Sequence, residues 1–223
     1  MNLLLIAIAP VCIIGIYIYL KDKYEREPKI LVLKTLLLGA IASVIMTIVL
    51  SIIANKLLPL PNETSVLNQF IKTFFVIALI EEFSKYVIVR FYNQPKKDFN
   101  EPFDGIVYAV MVSLGFALTE NIMYVFQYGF STGILRAFTA VPAHATFGVL
   151  MGYFMGKAKF SNRKWSYNLA GLFLAILFHG AYDFFLFLPF IPGIWIGAFV
   201  SLILGIVLSQ KAIKKHQSRS FFK

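Results

Sequence analysis

Two glutamates and a lysine stand inside the apolar stretch "FVIALIEEFSKYVIVR", residues 75–90. Glu81 and Glu82 are adjacent, so on a helix their side chains point roughly 100° apart and cannot share one role. Lys85 is four residues from Glu81 and three from Glu82, within reach of either. Close carboxylates in a low dielectric ionise together only beside a compensating cation. Lys85 can therefore hold one as carboxylate and leave the other free for general-base work. The structural alternative is an ion pair that locks helix packing. In "LFHGAYDFFL", residues 177–186, His179 and Asp183 fall one turn apart, and the carboxylate can orient the imidazole. A buried histidine bonded to a carboxylate can equally be structural.

Composition says where these groups must sit. The chain of 223 residues is 59% hydrophobic and 14% charged, with 23 phenylalanines, too apolar for a water-soluble domain to conceal. Apolar stretches of bilayer-crossing length recur. The expected fold class is all-α: a polytopic membrane protein of about seven helices, near 1–20, 31–54, 67–90, 104–126, 135–156, 165–187 and 191–210. Residues 1–210 read as one transmembrane domain and 211–223 as a basic tail. The first span has no basic leader and is expected to be retained. The single Cys12 allows no internal disulfide.

The net charge of +10 lies in every second connection, at 21–29, 90–97, 157–164 and 211–223, while the alternate loops hold only Lys56. This asymmetry predicts basic loops and C-terminus in the cytoplasm and the N-terminus outside. It is a topology signal with some attraction to anionic lipid, not a nucleic-acid footprint. No internal repeat of the kind that builds transporters is visible.

Seven ionisable residues then fall at membrane depth: Glu81, Glu82, Lys85, Glu120, His144, His179 and Asp183. Each costs from about 3 to more than ~10 kcal/mol to bury in lipid, so together they read as a site facing a cavity. Arg136 stands at the outer mouth of its span, and Asp104, at the cytoplasmic edge, reads as a helix N-cap. Arg136, Ala140, His144, Gly148, Gly152 and Gly156 recur at four-residue steps. The glycines predict close helix packing, which leaves His144 either packed or reactive. Pro142 can kink that helix and free a carbonyl. Phe116 precedes Glu120 by one turn. Asn121 can donate to an oxyanion or bond a neighbouring helix.

Carboxylates and imidazoles in a wet cavity suit peptide hydrolysis, metal binding or proton relay. A zinc site could use His144, His179 and a glutamate, but H-E-x-x-H is absent. No G-x-S-x-G elbow supports a serine hydrolase. A relay predicts acids strung across the membrane, whereas these cluster at similar depth.

The segments "IYLKDKYEREP" (17–28), "EEFSK" (81–85), "FDGIVYAVMVSLGFALTENIMY" (103–124), "RAFTAVPAHATFGVLMGYFMGKAKF" (136–160) and "FHGAYDF" (178–184) resemble the PrsW family of bacterial intramembrane proteases. That family belongs to a glutamate-dependent superfamily with the CAAX prenyl proteases. The resemblance implies a multi-pass protein of the bacterial cell membrane that makes the first, extracytoplasmic cut in a single-span anti-sigma factor during a stress response; no cofactor and no metal ligand are assigned, and metal dependence stays an open alternative. It implies Glu81 as the water-activating base, Glu82 and Lys85 as its support, and His179 with Asp183 as the group polarising the scissile carbonyl. CAAX proteases carry F-x-x-x-H where this chain has Phe116 to Glu120, so either Glu120 or His144 completes the water site. Two other readings stay open: a CAAX-like peptidase for prenylated or leader peptides, and a non-enzymatic sensor or scaffold.

Overall fold

The computed structural model describes residues 3–60, 62 and 64–223, and every regular element among them is helical. Helix α1 spans Leu3–Lys21, α2 Lys29–Leu57, α3 residues 66–93, α4 Pro102–Tyr128, α5 Phe130–Lys159, α6 Lys164–Leu186 and α7 Ile196–Gln217. Six of these, all but α3, are long and apolar enough to cross a membrane. The chain is thus an all-α, multi-pass membrane protein. Helix α3 covers the third expected span but carries Lys72, Glu81, Glu82, Lys85 and Arg90.

Helices α4 and α5 form the centre, with most of their residues buried, while α1 buries only the stripe Ala7, Val11, Gly15 and Ile18. Glycine sets the spacing at two crossings. A Cβ on Gly152 of α5 would lie 2.2 Å from the Gly105 carbonyl oxygen of α4. One on Gly115 of α4 would lie 2.0 Å from the Leu36 carbonyl oxygen of α2. Both are impossible contacts, so only glycine lets α4 sit this close to both neighbours.

Local irregularities aim the polar residues. Helix α3 widens into π-helix at Lys72–Ala78 and again at Val89–Asn93, bracketing the α-helical segment Leu79–Ile88 that bears Glu81, Glu82 and Lys85. Such widened turns shift the angular register, and this segment presents its charged face inward. Helix α5 breaks at Thr139, between Phe130–Phe138 and Ala140–Lys159. Pro142 stands three residues into the second segment and has no N–H for the Phe138 carbonyl, which accounts for the break. The four-residue register from Arg136 to Gly156 is therefore interrupted.

The expectation that Asp104 is a helix N-cap is corrected. Pro102 takes the first helical position, where a missing N–H costs nothing, so Glu101 is the cap and Asp104 the third residue. Asp104 Oδ2 accepts from the Glu101 and Asn100 amides at 2.7 and 2.6 Å, and the Glu101 side chain accepts from the Asp104 amide, a reciprocal capping box. The basic tail begins inside α7, and it is docked: Gln217 Nε2 donates to the Lys21 carbonyl at 2.5 Å, and His216 Nε2 to that of Tyr153 at 2.9 Å.

Gly152→Ala is expected to lower stability by about 2 kcal/mol or more, because backbone must separate from backbone. Gly15→Ala, whose Cβ would meet Leu114 at an ordinary 3.6 Å, should cost little. Thermal unfolding of the two variants in one detergent checks the difference.

Candidate active site

The inward face of α3 meets α4, α5 and α6 around one ammonium. Lys85 Nζ donates to Glu82 Oε1 at 2.7 Å and to His144 Nδ1 at 3.2 Å, and faces Glu81 Oε2 at 3.5 Å. Three N–H groups thus find three acceptors. The ammonium also lies 4.2 Å from the centroid of the Phe116 ring, which roofs it. Lys85 and Glu82 are buried almost completely, and the Glu81 side chain is 13% exposed.

The ammonium assigns the histidine tautomer. His144 Nδ1 accepts from Lys85, so its proton is on Nε2, which donates to Glu120 Oε2 at 3.0 Å. Glu120 is held from its other side by Arg136 Nη2 at 2.7 Å. Arg136 Nε donates to Asn121 Oδ1 at 3.0 Å, and Asn121 Nδ2 donates to the Ala7 carbonyl, also at 3.0 Å. Asn121 therefore ties α4 to α1 and α5. Of its two expected roles, it fills the helix-bonding one.

His179 is clamped by carboxylates. Its Nδ1 lies 2.8 Å from Glu82 Oε1, and its Nε2 lies 3.3 Å from Asp183 Oδ2 and 3.9 Å from Glu81 Oε2. The ring stacks on Phe147 at 4.9 Å and stands edge-on to His144 at 5.4 Å. Glu82 Oε1 thus accepts from both Lys85 and His179.

A cavity of about 430 Å³ opens beside this cluster, with Glu81, Glu120, Arg136, His144, His179 and Asp183 in its wall. Glu82, Lys85, Phe116 and Asn121 stand behind that wall. The two adjacent glutamates are thereby separated: Glu81 meets the cavity, and Glu82 is the buried anchor of two cationic donors. Sequence reading missed part of the wall: Tyr124, Tyr182, Thr139 and the stacked Phe147. Phe147 lies three residues past His144, so helical spacing alone could have placed it.

Glu81, Glu82, His144 and His179 each offer one ligand atom within 4.8 Å of the others, a donor set that suits a transition metal. The Lys85 ammonium nevertheless contacts three of those four groups at 2.7–3.5 Å. A dication among the same atoms would sit against a fixed positive charge, with Coulomb repulsion undiminished by water. The residues as arranged do not fit a metal ion.

A membrane-embedded acid–base cluster opening on a cavity suits hydrolysis. Residues 27–210 match the family described as PrsW family intramembrane metalloprotease. The chain is 38% identical over 200 residues to "Protease PrsW" of Geobacillus kaustophilus, covering 89% of this chain and 86% of that protein. It is 38% identical over 212 residues to the Oceanobacillus iheyensis protein of that name, covering 91% and 95%. To the Bacillus subtilis one it is 36% identical over 199 residues, covering 84% and 88%. No solved structure matches. The chain belongs to the PrsW family and is a peptidase of the membrane. The family is described by a metal that the Lys85-centred cluster does not accommodate.

Lys85→Met would leave the Glu82 carboxylate buried with one cationic neighbour removed. About 3–5 kcal/mol of stability is expected to go with it. Lys85→Arg should not restore the loss, because a planar fork cannot reach three acceptors arranged around a point. Unfolding midpoints of the two variants against wild type check this.

Proposed function

We propose that the chain is a glutamate-dependent endopeptidase that makes the first, extracytoplasmic-side cut in a single-span anti-sigma factor. The observation that carries the mechanism is the unequal placement of the two glutamates, Glu81 on the cavity and Glu82 behind it. Glu81 takes a proton from a cavity water, whose oxygen attacks the scissile carbonyl carbon. His179, held at Nδ1 by Glu82, turns its Nε2–H from Asp183 to the carbonyl oxygen as that becomes an oxyanion. The intermediate collapses when the proton on Glu81 passes to the departing amine and the carbon–nitrogen bond breaks. Glu120 faces the same cavity and holds the water through Oε1, its Oε2 being taken by His144 and Arg136. No step passes through a metal.

The seven-span, N-terminus-outside arrangement belongs to this proposal, with α3 as the polar span. Its support is that the cavity wall reaches Thr132, Leu135 and Phe187, next to the connections poor in basic residues. By the positive-inside rule that end is extracytoplasmic. Water can then enter from outside without crossing the lipid core.

The test is cleavage of a purified single-span anti-sigma factor in detergent. Wild type should cut, Glu81→Gln should lose roughly 10²–10⁴-fold while keeping its unfolding midpoint, and a strong chelator should leave the wild-type rate unchanged. Wild-type rates in Glu81→Gln would remove that residue from the mechanism, and inhibition by the chelator would restore a metal to it. His179→Ala should damage cleavage more than His144→Ala, because the former meets the carbonyl oxygen and the latter acts only by positioning Glu120. Equal activity of His179→Ala and wild type would sink that assignment.

A further inference from the structure

A second group of acidic residues gathers at the far end of α4, among the basic connections. Asp22, Glu25 and Glu27 come from the 22–28 connection, and Glu101 and Asp104 from the α4 N-terminus, five of the chain's eleven acids. Four of them are buried: Asp22, Glu27 and Glu101 at 1% exposure and Asp104 at 0%. Among the described residues, no lysine, arginine or histidine nitrogen pairs with any of the five. In a chain of net charge +10 this lack of pairing needs a physical cause. Arg26 acts on Asp22 only through space, and Lys159 spends its ammonium on the carbonyls of Gln94 and Lys96.

The carboxylates share one pattern. Asp104 Oδ2 takes two amides and Glu27 Oε2 takes the Tyr108 hydroxyl, while Asp104 Oδ1 and Glu27 Oε1 meet no amide, hydroxyl or cationic donor and can bond only each other's carboxyl, through one shared proton. Asp22 Oδ1, Glu25 Oε2 and Glu101 Oε2 are orphaned in the same way. Each unsatisfied buried oxygen costs on the order of 1–3 kcal/mol, more when charged, so five at one end of α4 are not neutral packing. Burial, and after it the charge of Asp104, pushes the Glu27 carboxyl up to about 10. One proton shared by Glu27 and Asp104 would satisfy a single pair of oxygens. A cation satisfies several at once.

We propose that Glu25, Glu27 and Asp104, which each offer an oxygen within 4.8 Å of the others, bind a hard divalent cation of the magnesium–calcium class. The donors are all oxygen, with no imidazole or thiolate among them, which selects against zinc and copper. The ion bolts the 22–28 connection to the first turn of α4, whose other end carries Glu120. It is separate from the catalytic cluster and from the reaction.

The test uses the full-length protein in detergent, stripped with a chelator and then titrated separately with magnesium, calcium and zinc. Wild type should gain about 4 °C or more in unfolding midpoint with magnesium or calcium, and calorimetry should give one site. The responding ion identifies the occupant. Glu27→Gln should abolish the response, and the partly exposed Glu25→Gln should weaken it at least tenfold if Glu27→Gln fails to fold. Glu81→Gln should retain it. Flat midpoints with every ion, stability that moves with pH but not with cations, or a response to zinc alone would each overturn the proposal. So would a response lost in Glu81→Gln, which would place the ion in the catalytic cluster.

Discussion

One ammonium holds the polar centre together. Lys85 carries three N–H groups and meets three acceptors on two helices, two of them carboxylates. Taken singly, a buried glutamate is costly in a membrane. Taken with Lys85 between them, Glu81 and Glu82 share a counter-ion and can stay charged beside each other. Glu82 then orients His179, His144 takes its tautomer from the same ammonium, and Glu120 follows from His144. Remove the cation and each downstream orientation loses its reason.

That centre survives only because the helices around it approach without side chains between them. The Gly105–Gly152 contact brings α5 against α4, and Gly115 brings α2 against its other side. Close packing excludes lipid and water from the region behind the wall, so electrostatic attraction there is strong. The π-helical stretches of α3 and the break at Thr139 do the complementary work of aiming. Regular helices would have turned Glu81 and the cavity wall of α5 away from one another.

Much of this was legible beforehand. A polar residue in a long apolar run must face protein, and that single rule selects Glu81, Glu82, Lys85, Glu120, His144, His179 and Asp183 from the sequence alone. Helical spacing paired His179 with Asp183 and Lys85 with both glutamates. What spacing could not tell is which glutamate meets the cavity, since that depends on π-helical turns with no sequence signature. The cap at α4 was misplaced by three residues because Asp104 reads as a good cap, yet Pro102 fixes the start of the helix ahead of it. Asn121 has equal credentials for an oxyanion and for a helix contact, and only the position of Ala7 decides.

The two acidic groups at opposite ends of α4 pose the same problem and answer it differently. Near Glu120, the chain supplies its own cations: Lys85 among the glutamates, Arg136 on Glu120, and a histidine on each carboxylate at the cavity. Near Asp104, among the described residues, it supplies none within pairing distance, although lysines and arginines crowd the surrounding connections. A fold that merely tolerated stray acids would have recruited those neighbours. Two carboxylates that turn one oxygen each toward a fixed donor and leave the other bare have instead the form of an incomplete coordination shell. Where the proposed mechanism needs a carboxylate free to accept a proton, the counter-charge is covalently tethered and cannot leave. Where only anchoring is needed, an exchangeable ion suffices, and its departure would loosen the helix that carries Glu120.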